Sequence, residues 1–342
     1  MNYQVGLVYR ASRREGASMT SQFKDKSVLI TGGTGSFGKH MTKTLLNETD
    51  VRRVIVFSRD ELKQFEMQQE YAGENRLRFF IGNVRERDRL LRAFDGVDLV
   101  IHAAALKQVP AAEYNPFEAI KTNILGASNV IDAAIDRGIK KVVALSTDKA
   151  SSPINLYGAT KLVSDKLFVS GNAYAGKRRT RFAVVRYGNV VGSRGSVVPL
   201  FRTLAAKGVI PITDDRMTRF WITLDQGVRF VINAFSEMQG GEVFVPKIPS
   251  MKVVDLAKAM APNAKINIVG IRPGEKLHEE MISETDARRT LDVGDHYVIQ
   301  PEFEWWNSAK IEGKELPEGF RYSSDNTDDW LDIPRLQAMV NG

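Results

Sequence analysis

Between Ser146 and Lys161 the sequence reads STDKASSPINLYGATK. Five side chains in it, Thr147, Asp148, Lys149, Tyr157 and Lys161, can move a proton or stabilise the group that does. Tyr157 and Lys161 are four residues apart, which sets a phenol and an amine on one face of a helix. A Tyr-x-x-x-Lys pair alone is weak, because both residues are common on surfaces; its surroundings give it weight. The apolar run Val142 to Leu145 precedes the stretch and reads as a buried parallel strand. A helical pattern, Tyr157, Lys161, Leu162, Asp165, Leu167 and Phe168, follows. Ligands of open α/β sheets lie outside the carboxyl ends of the strands, so Ser146 to Lys149 are expected at the mouth of a crevice.

Such a crevice needs a sheet, and the upstream sequence has the pattern for one. SVLITGGTGSFGKHMTKTLL runs from a strand, Ser27 to Thr31, through a glycine turn into an amphipathic helix. Gly32, Gly35 and Gly38 are spaced G-x-x-G-x-x-G. Glycine permits the tight turn, lets backbone N–H groups approach a pyrophosphate, and lets the helix pack close to the strand. The helix N-terminus then favours the anion. A glycine-rich stretch by itself is only a loop, but a strand before it and a helix after it are the context that dinucleotide binding requires. The next strand, Val54 to Phe57, ends in SRDELK. Where NAD enzymes usually place an acid for the ribose hydroxyls, this chain has Ser58 and Arg59, then Asp60, with Lys63 one turn on. A guanidinium there suits a 2′-phosphate and favours NADP; the alternative is that Arg59 and Lys63 are solvated charges at a helix start. Leu77 to Ile81 is a third strand, with Asn83 and Val84 placed to meet the adenine. Leu99 to Ala103 is a fourth, opening into HAAALKQVP. There Ala103 to Ala105 let a cofactor lie along the backbone, and Lys107 points a cation at the crevice. Pro116 to Arg137 carries a long helical pattern, and Asn123 within it is either a polar support for the site or a surface residue. The strand–helix alternation from Ser27 to Ser146 predicts an α/β fold with a doubly wound parallel sheet.

The second half has a different rhythm. RFAVVRYGNVVGSRGSVVP gives another buried strand and a glycine-rich segment, after which Asn189, Arg194 and Ser196 are candidates for substrate contact. LFRTLAAKG reads as a helix, EVFVP as a short strand, KVVDLAKAMAP as a helix, KINIVGI as a strand and RPGEKLHEEMI as the start of another helix. This half is expected to be a smaller α+β body capping the sheet. Residues 1–18 read as a leader, 19–190 as the dinucleotide-binding domain with the Tyr/Lys pair, and 191–342 mainly as the substrate-binding domain and a tail. Arg219 and Arg272 are forked donors suited to a diphosphate, although each alone is a common surface residue. Beyond Val298 there is little periodicity, and the tail reads as a wrap or linker.

Composition narrows the classes. With 342 residues the chain can bury a large core, and 43% apolar with 26% charged residues is ordinary for a soluble globular protein. It has no cysteine, which excludes disulfides, thiolate metal sites and cysteine nucleophiles. His40, His102, His278 and His296 lack metal-ligand spacing, so no metal is expected. No apolar run approaches the ~18 residues that span a bilayer, so a cytoplasmic protein is expected. The net charge of +7 raises nucleic acid as a partner, but no basic block interleaved with aromatics stands out. An anionic cofactor and substrate account for it more simply. The first eighteen residues, with Arg10, Arg13 and Arg14 and no apolar core, read as an added leader or an upstream start before Met19.

Read together, TGGTGSFG, STDKA, YGATK, RYGNVVGSRGSVVP, MTRFWIT and GIRPGEKLHE resemble the extended short-chain dehydrogenase/reductase superfamily. More narrowly they resemble the inverting UDP-N-acetylglucosamine 4,6-dehydratases, which begin routes to pseudaminic acid and related sugars. The likeness runs from about Phe23 to about Pro334. Its most specific element is the adjacent Asp148-Lys149: related epimerases share the Tyr/Lys pair without it, and retaining dehydratases carry Asp-Glu there. The resemblance implies a tightly held NADP at Gly35, Ser36, Phe37, Gly38, Arg59 to Gln64, Ala103, Tyr157, Lys161 and Val190. It implies a UDP-sugar at Lys107, Asp148, Asn189, Arg194, Arg219, Arg272 and Tyr322 of RYSSDN, and a homo-oligomer. Asn83 departs from the pattern, which usually has Asp.

The reaction so implied starts with Tyr157 as phenolate taking the C4 hydroxyl proton while hydride leaves C4. A free phenol has a pKa of ~10, and the Lys161 ammonium is the charge that would stabilise its anion. The 4-ketone acidifies C5. Lys149 then removes the C5 proton, Asp148 protonates the departing C6 hydroxyl, and hydride returns to C6. Reprotonation from the opposite face inverts C5, giving UDP-2-acetamido-2,6-dideoxy-β-L-arabino-hex-4-ulose. A lysine base must be neutral, and moving ~10.4 to ~7 takes ~4–5 kcal/mol in favour of the amine. Desolvation and Lys161 are expected to supply it against the opposing Asp148. The alternatives are a Lys149 that only positions, a UDP-sugar epimerase, and a catalytically silent NADP-binding regulator on the same fold.

Overall fold

The computed structural model describes residues 20–193, 197–302 and 311–341. The leader expected over 1–18, and Arg194 and Ser196, lie outside the described residues. The first half winds five parallel strands, β1 (Ser27–Thr31), β2 (Arg53–Ser58), β3 (Leu77–Ile81), β4 (Leu99–His102) and β5 (Lys141–Thr147), and then β6 (Arg181–Tyr187). Their spatial order is β3-β2-β1-β4-β5-β6. All five residues of β1 are buried, as in parallel sheets covered on both faces. The order reverses between β1 and β4, and the crevice at their carboxyl ends is where such a sheet takes its ligand. His102 at the end of β4 is a core residue: Thr31 Oγ1 lies 2.8 Å from its ring, and burial pushes its pKa down to about 3.

Helices α1 (Ser36–Glu48), α2 (Glu61–Glu70) and α3 (Arg87–Ala93) return the chain between the first four strands. After β4 come α4 (Val109–Tyr114), α5 (Pro116–Ile120), a π-helical turn over Lys121–Leu125, and α6 (Gly126–Arg137). The helix expected over Pro116 to Arg137 is therefore interrupted. The π turn directs buried Asn123 inward, where Oδ1 accepts from Leu106 N at 2.8 Å and Nδ2 donates to Leu106 O at 2.9 Å and Thr160 Oγ1 at 3.0 Å. Such turns frequently mark functional sites. This one ties the loop after β4 to α7 (Leu156–Tyr174), the helix that carries Tyr157 and Lys161.

The second half serves two bodies. From it, α9 (Leu224–Glu237, below) packs against α1. The elements in order are β7 (Asn189–Val190), α8 (Val197–Ala205), β8 (Val209–Ile212), β9 (Thr218–Ile222), α9, β10 (Val243–Pro246), β11 (Ser250–Lys252), α10 (Val253–Met260) and β12 (Lys265–Ile268). They are followed by β13 (Glu280–Ile282), α11 (Glu284–Ala287), β14 (Thr290–Asp292), β15 (His296–Ile299), β16 (Lys314–Glu315), β17 (Tyr322–Ser323) and α12 (Ile333–Asn341). β10 adds parallel to β6, and antiparallel β15, β14 and β16 extend the large sheet to ten strands. The smaller body joins β7, β9 and β11 in one sheet and β8 and β12 in another. Its own core includes Phe201, Ile212, Trp221, Leu256 and Leu336.

Two expectations about elements fail here. RPGEKLHEEMI starts no helix: Gly274 sits at φ 78° in a turn after Pro273, and the chain stays irregular until β13. The tail does not end as a wrap, because α12 buries Leu336 against α10. Among the described residues no helix is long and apolar enough to cross a membrane.

Candidate active site

A cavity of about 1120 Å³ opens along the carboxyl ends of β1, β2, β4, β5 and β6. Its floor exists because three residues lack a Cβ. Gly32 has φ 67°, and a Cβ there would meet Ala104 N at 2.9 Å. A Cβ on Gly38 would lie 2.4 Å from Gly33 Cα, so α1 approaches the turn only as it is. Gly35 begins α1 with no side-chain cap, which leaves that helix end to backbone N–H groups, the setting that suits a pyrophosphate. A dinucleotide fits this cradle. Ser36, Phe37, Asn83, Val84, Ala103 and Val190 also line the cavity.

At the end of β2 the acidic residue is already engaged. Asp60 caps α2 by accepting from Lys63 N at 3.0 Å and also pairs with the Lys63 ammonium. Ser58 Oγ lies 2.8 Å from Thr34 Oγ1. Arg59 stays exposed on the cavity rim. Asp60 is thus a helix cap with Lys63 as its partner, and both line the cavity together with Ser58.

The reactive end is fixed by two local devices. Asn155 Oδ1 accepts from Gly158 N at 2.8 Å and starts α7. Thr147 caps the short 3₁₀ turn Asp148–Ala150. The two pieces touch: a Cβ on Gly158 would sit 2.2 Å from Lys149 O. Thr147, Lys149, Tyr157 and Lys161 consequently all line the cavity. Lys161 Nζ donates to Leu145 O at 2.7 Å. Lys149 Nζ lies 3.0 Å from Asp148 Oδ1, 3.2 Å from Glu279 Oε1 and 3.5 Å from Asn189 Oδ1.

These environments set protonation. Burial pushes Tyr157 up to about 12, and the leading opposing charge is Lys149 rather than Lys161. Burial holds Lys161 below the usual lysine range, with Asp165 working against it. For Lys149, burial is the largest influence and acts downward, but Asp148 and Glu279 together outweigh it and raise the pKa. Desolvation, expected to favour a neutral Lys149, does act that way, but the carboxyl groups of Asp148 and Glu279 favour its ammonium. Burial keeps Asp148 high despite Lys149. Glu279 is held low, because Lys149, Arg219 and Lys276 outweigh its burial.

Several expected ligands stand differently. Asp148 is fully buried behind Lys149 and Thr147 and is not part of the cavity lining. Arg219 lines the wall, but its guanidinium is committed to Thr218 O at 2.6 Å, Lys276 O at 3.0 Å and Leu277 O at 3.1 Å. It braces the loop after Arg272 more than it offers a free fork. Arg272 and Lys107 do line the cavity, and Arg272 is exposed. Tyr322 does not reach it: its hydroxyl accepts from Ile248 N at 2.9 Å and donates to Ile248 O at 3.0 Å inside the core. Glu279 is the residue that sequence reasoning missed. It lay in the segment read as a helix start, and nothing in the spacing of GEKLHE links it to Lys149.

A doubly wound sheet, a glycine-lined first turn and a Tyr/Lys pair on one helix at the carboxyl edge define an extended short-chain dehydrogenase/reductase. Residues 28–301 match the polysaccharide biosynthesis protein family, and the chain belongs to it. It is 55% identical over 329 residues to an inverting UDP-N-acetylglucosamine 4,6-dehydratase of Campylobacter jejuni strain 81-176, covering 93% of this chain and 98% of the relative. It is 42% identical over 316 residues to a UDP-glucose 4-epimerase of Rickettsia canadensis, covering 89% and 92%. Among solved structures it is similar to Pen from Bacillus thuringiensis, with a TM-score of 0.86 and 40% identity, covering 93% of this chain and 98% of that one.

Proposed function

We propose that the protein is a UDP-N-acetylglucosamine 4,6-dehydratase that inverts C5, working with NADP. The observation that carries this reading is the Asp148-Lys149 pair held beside Tyr157 at the end of β5. An epimerase of this class needs the tyrosine and a hydride carrier, but it has no use for an ammonium clasped by carboxylates. The 55% identity to a named inverting dehydratase supports the same choice. The 42% identity to a named UDP-glucose 4-epimerase is what favours the second reading, epimerisation without loss of water.

Gly32, Gly35 and Gly38 would hold the dinucleotide's diphosphate, and Arg59 its 2′-phosphate. When bound there, an oxidised nicotinamide would supply the reversible hydride acceptor that oxidation at C4 and reduction at C6 require. Tyr157 takes the C4 hydroxyl proton, with the Lys149 and Lys161 ammonium groups nearby to favour its anion. With C4 a ketone, Lys149 as amine removes the C5 proton and Asp148 gives a proton to the departing C6 oxygen. Asn189 at 3.5 Å helps to orient Lys149. Reprotonation from the other face sets the inverted centre of UDP-2-acetamido-2,6-dideoxy-β-L-arabino-hex-4-ulose, a precursor suited to pseudaminic acid or related surface sugars.

Proton NMR of the reaction in deuterated water tests this directly. UDP-N-acetylglucosamine should lose its C6 hydroxymethyl signals and gain a C6 methyl next to a deuterated, inverted C5, faster with NADP than with NAD. A product that keeps the hydroxymethyl group would establish the epimerase instead. An unchanged substrate would end both.

A further inference from the structure

One side chain ties the substrate wall of the cavity to the catalytic helix. Asn155 caps α7 through Oδ1, which accepts from Gly158 N at 2.8 Å, and its Nδ2 donates to Gly274 O, also at 2.8 Å. Tyr157 stands two residues beyond the cap, and Arg272 two residues before the carbonyl. The turn that receives this bond follows from its sequence. In Arg272-Pro273-Gly274-Glu275, proline and glycine hold the central places of a type II β-turn, where a φ set by the proline ring and then a positive φ are required. Gly274 has φ 78°, and Glu275 N closes the turn on Arg272 O at 3.1 Å. The missing side chain also lets the turn dock: a Cβ on Gly274 would stand 3.2 Å from Asn155 Cβ and 3.4 Å from Val109 Cγ1 at the start of α4.

Little else holds the Arg272 end. Ile268 to Pro273 are all exposed. The last backbone bond before the turn runs from Val269 N to Ile212 O at 2.9 Å, and from Gly270 to Pro273 the described residues make no hydrogen bond to another element. The Arg272 guanidinium comes no nearer than 3.9 Å to Glu275, inside its own turn, and is 61% exposed. Past the turn the chain is held several times over. Lys276 Nζ donates to Ser151 O at 2.7 Å, Arg219 donates to Lys276 O and Leu277 O, and the hydroxyls of Ser151 and Ser152 donate to Glu280 at 3.0 Å and 2.7 Å. Loss of the Asn155 bond therefore frees the Arg272 turn and leaves the rest of the segment docked.

We propose that Asn155 sets the reach of Arg272 to the diphosphate of the sugar nucleotide, by pinning its turn at a fixed distance from the helix that carries Tyr157. This inference rests on the UDP-sugar reading above. Asn155 acts through Gly274 and is a positioning residue. An arginine whose backbone is already pinned gives up less freedom when it closes on a phosphate. The grip so gained is the same before and during the reaction, so it belongs to substrate affinity and not to the chemical step. The amide serves the helix with its oxygen and the turn with its nitrogen, and the two services can be removed separately.

The test uses Asn155→Asp and Asn155→Ser. Aspartate has the shape of asparagine, keeps an acceptor for Gly158 N and has no donor for Gly274 O. Serine keeps a capping oxygen without adding a charge. Titration calorimetry with UDP, on protein loaded with NADP, reads the grip, and the thermal unfolding midpoint reads the cap. In both variants the UDP dissociation constant should rise about fivefold, the worth of one neutral hydrogen bond. KM for UDP-N-acetylglucosamine should rise with it, while kcat and NADP affinity stay within about twofold and the midpoint holds. Asn155→Ala removes both services, so it should show the same loss of UDP affinity together with a lower midpoint and a lower kcat as the first turn of α7 frays. UDP affinity unchanged in the Ser protein would overturn the proposal, because any loss in the Asp protein would then come from its added charge. A fall in kcat with KM unmoved in the Asp and Ser proteins would overturn it as well. Failure of the unsubstituted protein to bind UDP would overturn the sugar-nucleotide reading itself, a separate result.

Discussion

Tyr157 is a phenol in a place that resists its ionisation, with a pKa pushed up to about 12 by burial. Its use as a base therefore depends on the cations gathered around it. Tyr157→Phe keeps the ring in its packing and removes the hydroxyl proposed to exchange a proton with O4. Turnover should fall by ~10²–10⁴, the usual worth of a positioned acid–base group, while the thermal unfolding midpoint stays put. Residual turnover near the original rate would show that the phenol is not the base. At this scale the sequence was informative where chemistry is local. Tyr157, Lys161, Asp148 and Lys149 could be read because one strand end and one helix start hold them. Glu279 and the committed donors of Arg219 could not, because their partners come from distant segments. Tyr322 has a polar tip suited to a ligand, and only the packing reveals that Ile248 has taken it.

Among the elements, the seat of α7 on the 3₁₀ turn is the tolerance on which the site depends. Gly158→Ala would drive a methyl group to 2.2 Å from Lys149 O. A backbone atom cannot swing aside as a side-chain tip can, so the turn must shift. Overpacking of this kind costs about 1–3 kcal/mol, and displacement of Lys149 should cut activity well beyond that loss of stability. Paired denaturation and turnover measurements check it. A second junction is His296 on β15, 2.7 Å from Asp295 and 3.2 Å from Glu237 of α9. Burial works to lower its pKa, but the two carboxylates outweigh it and raise it to about 9. A raised histidine contributes its full stability below ~6.5 and loses it as pH climbs through about 9. The urea midpoint should therefore decline across that window, and in His296→Gln the decline should shrink. The parallel strands were legible because both faces are buried and their apolar runs are continuous. The π turn was not, since an extra residue in a helix leaves the apolar period nearly unchanged. The segment after Arg272 misled because its helical spacing is overruled by the Pro273-Gly274 turn.

At the scale of the molecule, the homo-oligomer expected from the resemblance has a candidate face. Tyr114 on α4 and Phe117 on α5 are 87% and 74% exposed, and these two helices adjoin one another. Large apolar side chains gathered on one side mark association surfaces. Phe117→Glu should shift the sedimentation coefficient toward the monomer; an unchanged value would place any interface elsewhere. EVFVP reads as a strand without saying which sheet it joins, and β10 extends the large one.

That strand has an effect on how the protein can be cut. Val243 and Phe244 of β10 close the flank of β6 by pairing with Val184 and Val185. A fragment stopped after residue 190 would keep the glycine turn and the Tyr/Lys helix, yet leave an apolar ribbon with bare amides for another copy to join, and such ribbons aggregate. The dinucleotide half is therefore no detachable cartridge: the last third of the polypeptide is the hem that keeps its first half from unravelling into its neighbours.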